Sequence, residues 1–287
     1  MRYLLYVFLV LIIASCEEVP PHIDFTVPNE TLIDTSYIDN NIPVPQNKMV
    51  LIEEFTGISC TWCPNGHQAL YALDSIYSGR LNIVSIHAGN YAKPLPGLFD
   101  IDLRTDAGDA LGTMFNGLPT AFPSAVVDRF IFSGDQDLYD SNTGSWGTRV
   151  SERLSESAPV NITVSNVGYD AQTNEIGALI KLHYTSSVDS AHYLSVLILE
   201  DSILTPQLNQ GTWEQDYVQK HVLRDMLTTY QGDALNESLV SGRVFEKEYA
   251  ITLDPNWNKD HCHILALVHH KGSVLNVVQS ASGHMSH

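Results

Sequence analysis

Two hydrophobic patterns divide the chain. Between residues 49 and 154, short apolar runs alternate with segments of helical spacing. Residues 49–55 read as a strand ended by Thr56-Gly57, and residues 66–77 place Leu70, Leu73, Ile76 and Tyr77 on one helix face. Residues 81–87 form a second apolar run. Residues 102–115 carry Leu103, Ala107, Leu111 and Phe115 at four-residue steps, which predicts a second helix. Residues 124–130 start a third strand, Ile131-Phe132 begin its return partner, and residues 146–154 predict a closing helix. This order is an α/β layout. After Pro159 the period falls to two. Residues 160–167, 176–184, 193–199, 244–253, 264–268 and 274–278 read as strands, with 221–227 as a seventh strand or a short helix. So many short strands with turn signals between them predict an antiparallel, immunoglobulin-like β-sandwich.

The N-terminal part differs from both. Met1-Arg2, an apolar run from Tyr3 to Ala14 and the small residue Ser15 make a secretory signal over residues 1–15. The run is shorter than the roughly 20 residues needed to span a membrane. Residues 16–46 hold no lasting period, being interrupted by Pro20, Pro21, Pro28, Pro43 and Pro45, and are expected to be a tether. The expected units are therefore a signal over 1–15, a tether over 16–46, an α/β domain over 47–157 and a β-sandwich over 158–287. Ile13-Ala14-Ser15-Cys16 resembles the bacterial lipobox, which implies acylation of Cys16, palmitate included, and a membrane anchor. It also implies a location outside the cytoplasm, where disulfides persist. The following Glu17-Glu18 is a weak pointer to surface display, so the expected place is the outer membrane, facing the periplasm or the cell surface.

Composition narrows the partners. The 287 residues hold 15 Lys+Arg against 33 Asp+Glu, a formal charge of −18. That sign excludes a nucleic-acid binder, which needs a basic footprint, and electrostatic adsorption to anionic lipid. A hydrophobic share of 44% suffices for packed cores, and four cysteines are too few for a disulfide-built scaffold.

The strongest chemical signal is Cys60-Thr61-Trp62-Cys63-Pro64, between a strand and a helix. A thiolate at a helix N-terminus is stabilised by unpaired N–H groups and the helix dipole. Cys60 is expected to be the exposed nucleophile and Cys63, more buried, the resolving thiol. Pro64 suits an early helical position. A structural disulfide is the main alternative, and a mixed zinc site with His67 and His87 a lesser one. No metal and no other cofactor is expected.

These residues resemble the thioredoxin superfamily, which implies a cis-proline before a strand beside the cysteines. Of Pro119 and Pro123 the second is favoured, because a strand starting at Pro119 would be broken by Pro123. The resemblance also implies a buried acid six residues before the first cysteine. Glu54 holds that place and is expected to take the proton of Cys63, although alternation buries at most one of Glu53 and Glu54. Trp62 and Phe122, beside these residues, are candidate binding groups. The Trp-Cys-Gly-Pro-Cys string of thioredoxin is absent.

A wider resemblance is to the outer membrane protein 28 family of lipoproteins. It rests on Glu53-Glu54-Phe55-Thr56-Gly57, Cys60-Thr-Trp-Cys63-Pro64, Phe122-Pro123-Ser124, His221-Val-Leu-Arg224 and Val278-Gln279. It implies a thioredoxin-like domain followed by a β-sandwich. Two functions are expected from different classes. One is a lipid-anchored thiol–disulfide oxidoreductase acting on protein dithiols or disulfides. The other is a surface binding or adhesion lipoprotein in which the Cys60–Cys63 bond is structural. Among weaker signals, His261, His263 and His269 share one strand face by alternation, and Cys262 is expected to be a buried thiol. Trp213 and Tyr217 lie in a long polar segment read as a loop.

Overall fold

The chain enters the fold earlier than its hydrophobic pattern predicts. The computed structural model describes residues 32–285. Its first strand, β1 (Asp34–Ile38), lies inside the expected tether and pairs antiparallel with residues 243–247. All five of its residues are exposed, so an edge strand solvated on both faces leaves no alternation to read. Lys247 Nζ to Asp34 at 2.6 Å and Tyr37 OH to Glu246 at 3.1 Å add to the main-chain pairing. The signal and Cys16 lie outside the described residues.

The α/β half follows the predicted order: β2 (Val50–Thr56), α1 (Cys63–Ile76), β3 (Leu81–His87), α2 (Asp106–Met114), β4 (Ser124–Val127) and α3 (Trp146–Leu154). Helix α2 starts later than the apolar spacing suggests because Thr105 caps it, its hydroxyl accepting the Gly108 N–H at 2.9 Å. The return strand at Ile131-Phe132 does not form. Asp128 and Arg129 both take left-handed φ values, 50° and 49°, and turn the chain away after β4.

The second half is built of strands apart from one 3-10 turn at Lys259–His261: β5 (Val160–Asp170), β6 (Glu175–Tyr184), β7 (Tyr193–Glu200), β8 (Ile203–Asn209), β9 (Thr212–Gln219), β10 (Val222–Met226), β11 (Asp233–Ala234), β12 (Arg243–Thr252), β13 (Cys262–His269) and β14 (Val277–His284). The fold is thus a mixed α/β structure with one sheet containing parallel pairs, one antiparallel four-stranded sheet and a separate antiparallel hairpin, β8–β9. The larger runs β14-β13-β7-β10-β3-β2-β4, with β11 also on β7, and the smaller runs β1-β12-β6-β5. Strands β2, β3 and β10 are parallel to one another, and the other pairs are antiparallel.

The two halves expected from the pattern share the large sheet. They join where Val222 of β10 stands level with Ser85 of β3, and the Ser85 N–H donates to the His221 carbonyl at 2.7 Å. The expected boundary near residue 158 falls between α3 and β5, and the sheet takes strands from both sides of it. Alternation on β7 and β13 serves two cores. Leu194, Val196, Ile198, Ile264 and Ala266 pack against the small sheet, while Leu197, Leu199, Leu265 and Leu267 face the α2 side. Among the described residues no helix is long and apolar enough to cross a membrane.

Strand β2 is likewise covered on both faces. Val50 and Ile52 enter the core with Leu70 and Trp146, and Leu51 and Phe55 enter the core with Leu111. This corrects the expectation that alternation buries at most one of Glu53 and Glu54. With layers on both sides, both are fully buried. Glu53 has a partner, since Arg129, also fully buried, donates Nε and Nη2 to its carboxylate at 2.9 and 2.6 Å. Glu54 has no hydrogen bond among the described residues.

Candidate functional site

The site begins where β2 ends. A side chain at Gly57 would stand 2.5 Å from the Tyr91 carbonyl, so only glycine lets the chain pass there. The Ser59 N–H then donates to Tyr91 O at 2.9 Å, and the Cys60 N–H donates to Gly57 O at 3.1 Å. Helix α1 begins at Cys63 itself, with Trp62 at the N-cap and Pro64 at the second position, where no N–H is missed. Cys60 thus precedes the helix rather than opening it. The two sulfurs form a disulfide with Cα atoms 5.4 Å apart.

Cys60 is not the exposed thiol expected from the pattern. It is 2% exposed and Cys63 0%, whereas Trp62 between them is 55% exposed. The cover is the hairpin β8–β9, folded from the segment read as a polar loop. The Leu208 N–H donates to Ile58 O at 2.8 Å, and the Gln210 and Gly211 N–H groups donate to the carbonyl and hydroxyl of Thr61 at 3.0 and 2.9 Å. Buried Gln207 donates from Nε2 to the carbonyls of Gly57 and Cys60, each at 3.2 Å. Gln219 in turn donates to Gln207 Oε1 at 2.9 Å and holds that amide in place. A turn signal was available at Asn209-Gln210-Gly211-Thr212. Gln210 and Gly211 have φ of 46° and 88°, as a type I′ hairpin turn requires.

Beneath the disulfide, Gly66 brings three predicted elements together. A Cβ there would lie 2.5 Å from Glu54 Oε1 and 2.9 Å from Cβ and Cγ of Pro123. Gly66 follows Cys63 by three residues and so sits one turn along the same helix face. The Phe122–Pro123 bond is cis. Pro123 therefore leads into β4, as the strand argument favoured over Pro119. The Phe122 ring packs on Tyr91 at 5.4 Å, and Trp62 stands apart as an exposed ring.

Neither carboxylate oxygen of Glu54 has a hydrogen-bond partner, and burial raises its pKa well above the ordinary value of 4.5. His67 Nε2 lies 3.4 Å from Glu54 Oε2 but is hydrogen-bonded to Thr56 Oγ1 at 3.0 Å, and His67 Nδ1 meets Tyr217 OH at 2.6 Å. Burial lowers His67 to about 4 and His87 to about 3, so both rings are neutral. The His67–Tyr217 contact fastens β9 to α1. The lower half of the site is therefore a buried cluster around one carboxyl group whose burial favours its protonated form.

The other histidines separate. His261 ends a short 3-10 turn, Lys259–His261, outside the strand, so it does not share the strand alternation. His269 is bonded to Ser195 Oγ at 2.8 Å after a register shift at Val268/His269. Cys262 is a buried free thiol, pushed up to about 12 by burial.

Several comparisons bear on this geometry. HBP35 of Porphyromonas gingivalis has a similar fold, with a TM-score of 0.66, 19% identity and coverage of 83% of this chain and 76% of that one. A protein of Agrobacterium tumefaciens matches with a TM-score of 0.52 and 12% identity, over 84% of this chain and 99% of its own. At such identities the likeness is one of fold. No curated protein matches the chain. Residues 110–286 match the family described as outer membrane protein Omp28. That stretch includes Pro123, His221–Arg224 and Gln279 but begins downstream of Glu54, Cys60 and Cys63. The chain therefore belongs to the outer membrane protein Omp28 family, and that membership implies association with the outer membrane.

Proposed function

We propose that this protein is a lipid-anchored, extracytoplasmic thiol–disulfide exchange protein whose reactive pair is Cys60 and Cys63. On this reading residues 47–157 are a thioredoxin-like unit, residues 158–287 an immunoglobulin-like sandwich grafted onto its sheet, and Cys16 the acylated anchor. The carrying observation is Glu54, a fully buried carboxyl without a hydrogen bond among the described residues, packed with Pro123 on Gly66 one turn from Cys63. A disulfide that only staples the chain has no use for such a group, and unpaired buried acids concentrate where proton transfer is needed.

The chemistry balances as a two-electron exchange. A client thiolate attacks Cys60 Sγ, the Cys60–Cys63 bond breaks, and Cys63 leaves with the electron pair and takes the proton of Glu54. The second client thiolate then attacks the mixed disulfide and releases Cys60 as thiolate. The client dithiol is oxidised and the cysteine pair reduced, and the reverse sequence reduces a client disulfide. Pro123 and Phe122 border the client strand, and Trp62 offers it an exposed ring. Clients are protein dithiols or disulfides outside the cytoplasm.

Burial of both cysteines favours a second reading, a surface binding lipoprotein with a structural Cys60–Cys63 bond. The hairpin decides between them. If exchange occurs, β8–β9 must lift, and weakening its attachment must speed reaction. Replacing Gln207 by Ala together with Tyr217 by Phe removes several bonds, each worth about 0.5–1.5 kcal/mol net, so reduction of the disulfide by a small thiol is expected to accelerate at least about tenfold. Stopped-flow monitoring of Trp62 fluorescence reads this rate. An unchanged rate favours the structural disulfide.

A further inference from the structure

Far along the sheet from β4, three adjacent strands bring together polar groups that the exchange chemistry does not use. Asp201 follows β7, His221 precedes β10, and His263 lies in β13, and β7 runs between the other two. Register sets them level, because Val222 and Cys262 both pair with Glu200. One ligand atom from each of Asp201, His221 and His263 falls within 4.8 Å of the others. His221 Nδ1 stands 3.4 Å from Asp201 Oδ1, and His263 Nδ1 stands 3.4 Å from Asp201 Oδ2.

We propose that Asp201, His221 and His263 bind one divalent first-row metal ion of the zinc type. The separations are long for hydrogen bonds. Each equals the ligand–ligand edge of about 3.4 Å that bonds of about 2.0–2.1 Å make at a tetrahedral centre. The two reach different oxygens of Asp201, so an ion held by one oxygen would draw the second imidazole in from within the 4.8 Å that encloses the three donors. The donor set is two imidazoles and one carboxylate, which suits zinc and its neighbours and not calcium or magnesium, whose ligands are oxygens. Burial lowers the pKa of both His221 and His263, so each offers a lone pair. The carboxylate is oriented before any ion arrives, since Asp201 Oδ1 accepts the His221 backbone N–H at 2.7 Å. His221 holds a left-handed φ of 54°, unusual for a residue with a side chain, at the position that turns its ring toward Asp201.

There is also room for the ion. A cavity of about 170 Å³ opens beside His221 and His263, walled by Asp74, Asn82 and His284. The His284 ring stacks on His263 with centroids 4.8 Å apart and braces it from the outer side. A fourth ligand, water or a small anion, would have to come from this cavity.

The test is titration of the full chain with Zn²⁺, and with Co²⁺ for its visible spectrum, with Cys60 and Cys63 kept oxidised so that neither thiol can ligate. The expected result is one ion per chain and a tetrahedral Co²⁺ spectrum. His221→Gln and Asp201→Asn should each weaken binding by more than about 100-fold, beyond what changes to outer-shell partners cause. His261→Gln and His270→Gln, outside the cluster, should leave it unchanged. Because His263 is buried, the two partly exposed ligands carry the test, with circular dichroism to confirm their fold. Stoichiometric binding that survives His221→Gln and Asp201→Asn overturns the proposal, as does the lack of any binding by the wild-type chain.

Discussion

Glu54→Gln is expected to slow exchange at the cysteine pair by about 10²–10⁴-fold, the range over which a positioned acid–base group acts. The amide keeps the shape that Gly66 and Pro123 pack against but has no proton to pass to or from Cys63. The same change alters the pH dependence of stability in the opposite sense to a loss of function. The folded pKa of Glu54 is raised, so its contribution to stability is complete below the unfolded value of 4.5 and is lost as pH rises through the folded value. Wild-type protein should therefore weaken on the alkaline side, and the Gln variant should not. His67 acts on the other side. Its folded pKa is lowered to about 4, so its contribution is complete above 6.5 and is lost as pH falls toward 4. Urea midpoints at a series of pH values separate the two limbs. An alkaline limb that persists in Glu54→Gln would show that this carboxyl is not the group responsible.

Arg129→Ala should cost about 3–5 kcal/mol, the usual consequence of leaving one charge of a buried pair alone. Both members are fully buried, and the guanidinium also lies over the Phe115 ring at 5.3 Å. Domains are marginally stable by only about 5–15 kcal/mol, so this single change would remove a large share of the total. Replacing both partners, Glu53→Gln with Arg129→Met, should cost much less, because no charge is then stranded. Denaturant titration of the single and double variants measures the difference. Equal losses in both would mean that the pair acts by packing and not by charge.

These two acids mark where sequence reading worked and where it stopped. Glu54 is placed by what the thioredoxin resemblance implies six residues before Cys60, and Pro123 by that resemblance together with the rule that proline does not interrupt a strand. Strand β3 and helix α3 kept the bounds their periods predicted, because each presents a strong apolar face. The burial of Glu53 was hidden, since nothing local says that β2 is covered on both sides. Strand β1 was hidden for the opposite reason, being solvated on both faces. The cover on Cys60 was the hardest to see. Gln207 and Tyr217 lie about 150 positions beyond the groups they bond, in a polar hairpin without a hydrophobic stripe. Only the Gln210-Gly211 turn announced it, and no local rule connects that turn to a cysteine. The shared sheet was hidden too, since it depends on one parallel contact between β3 and β10.

The central claim is that Cys60 attacks and Cys63 resolves. Its most direct test is the intact mass of the two single variants after incubation with a peptide dimer joined by one intermolecular disulfide. Cys63→Ser should accumulate an adduct of one peptide, because the mixed disulfide on Cys60 cannot be resolved, and Cys60→Ser should accumulate none. No adduct on either variant, or equal adducts on both, would contradict the assignment and leave the Cys60–Cys63 bond as a structural staple.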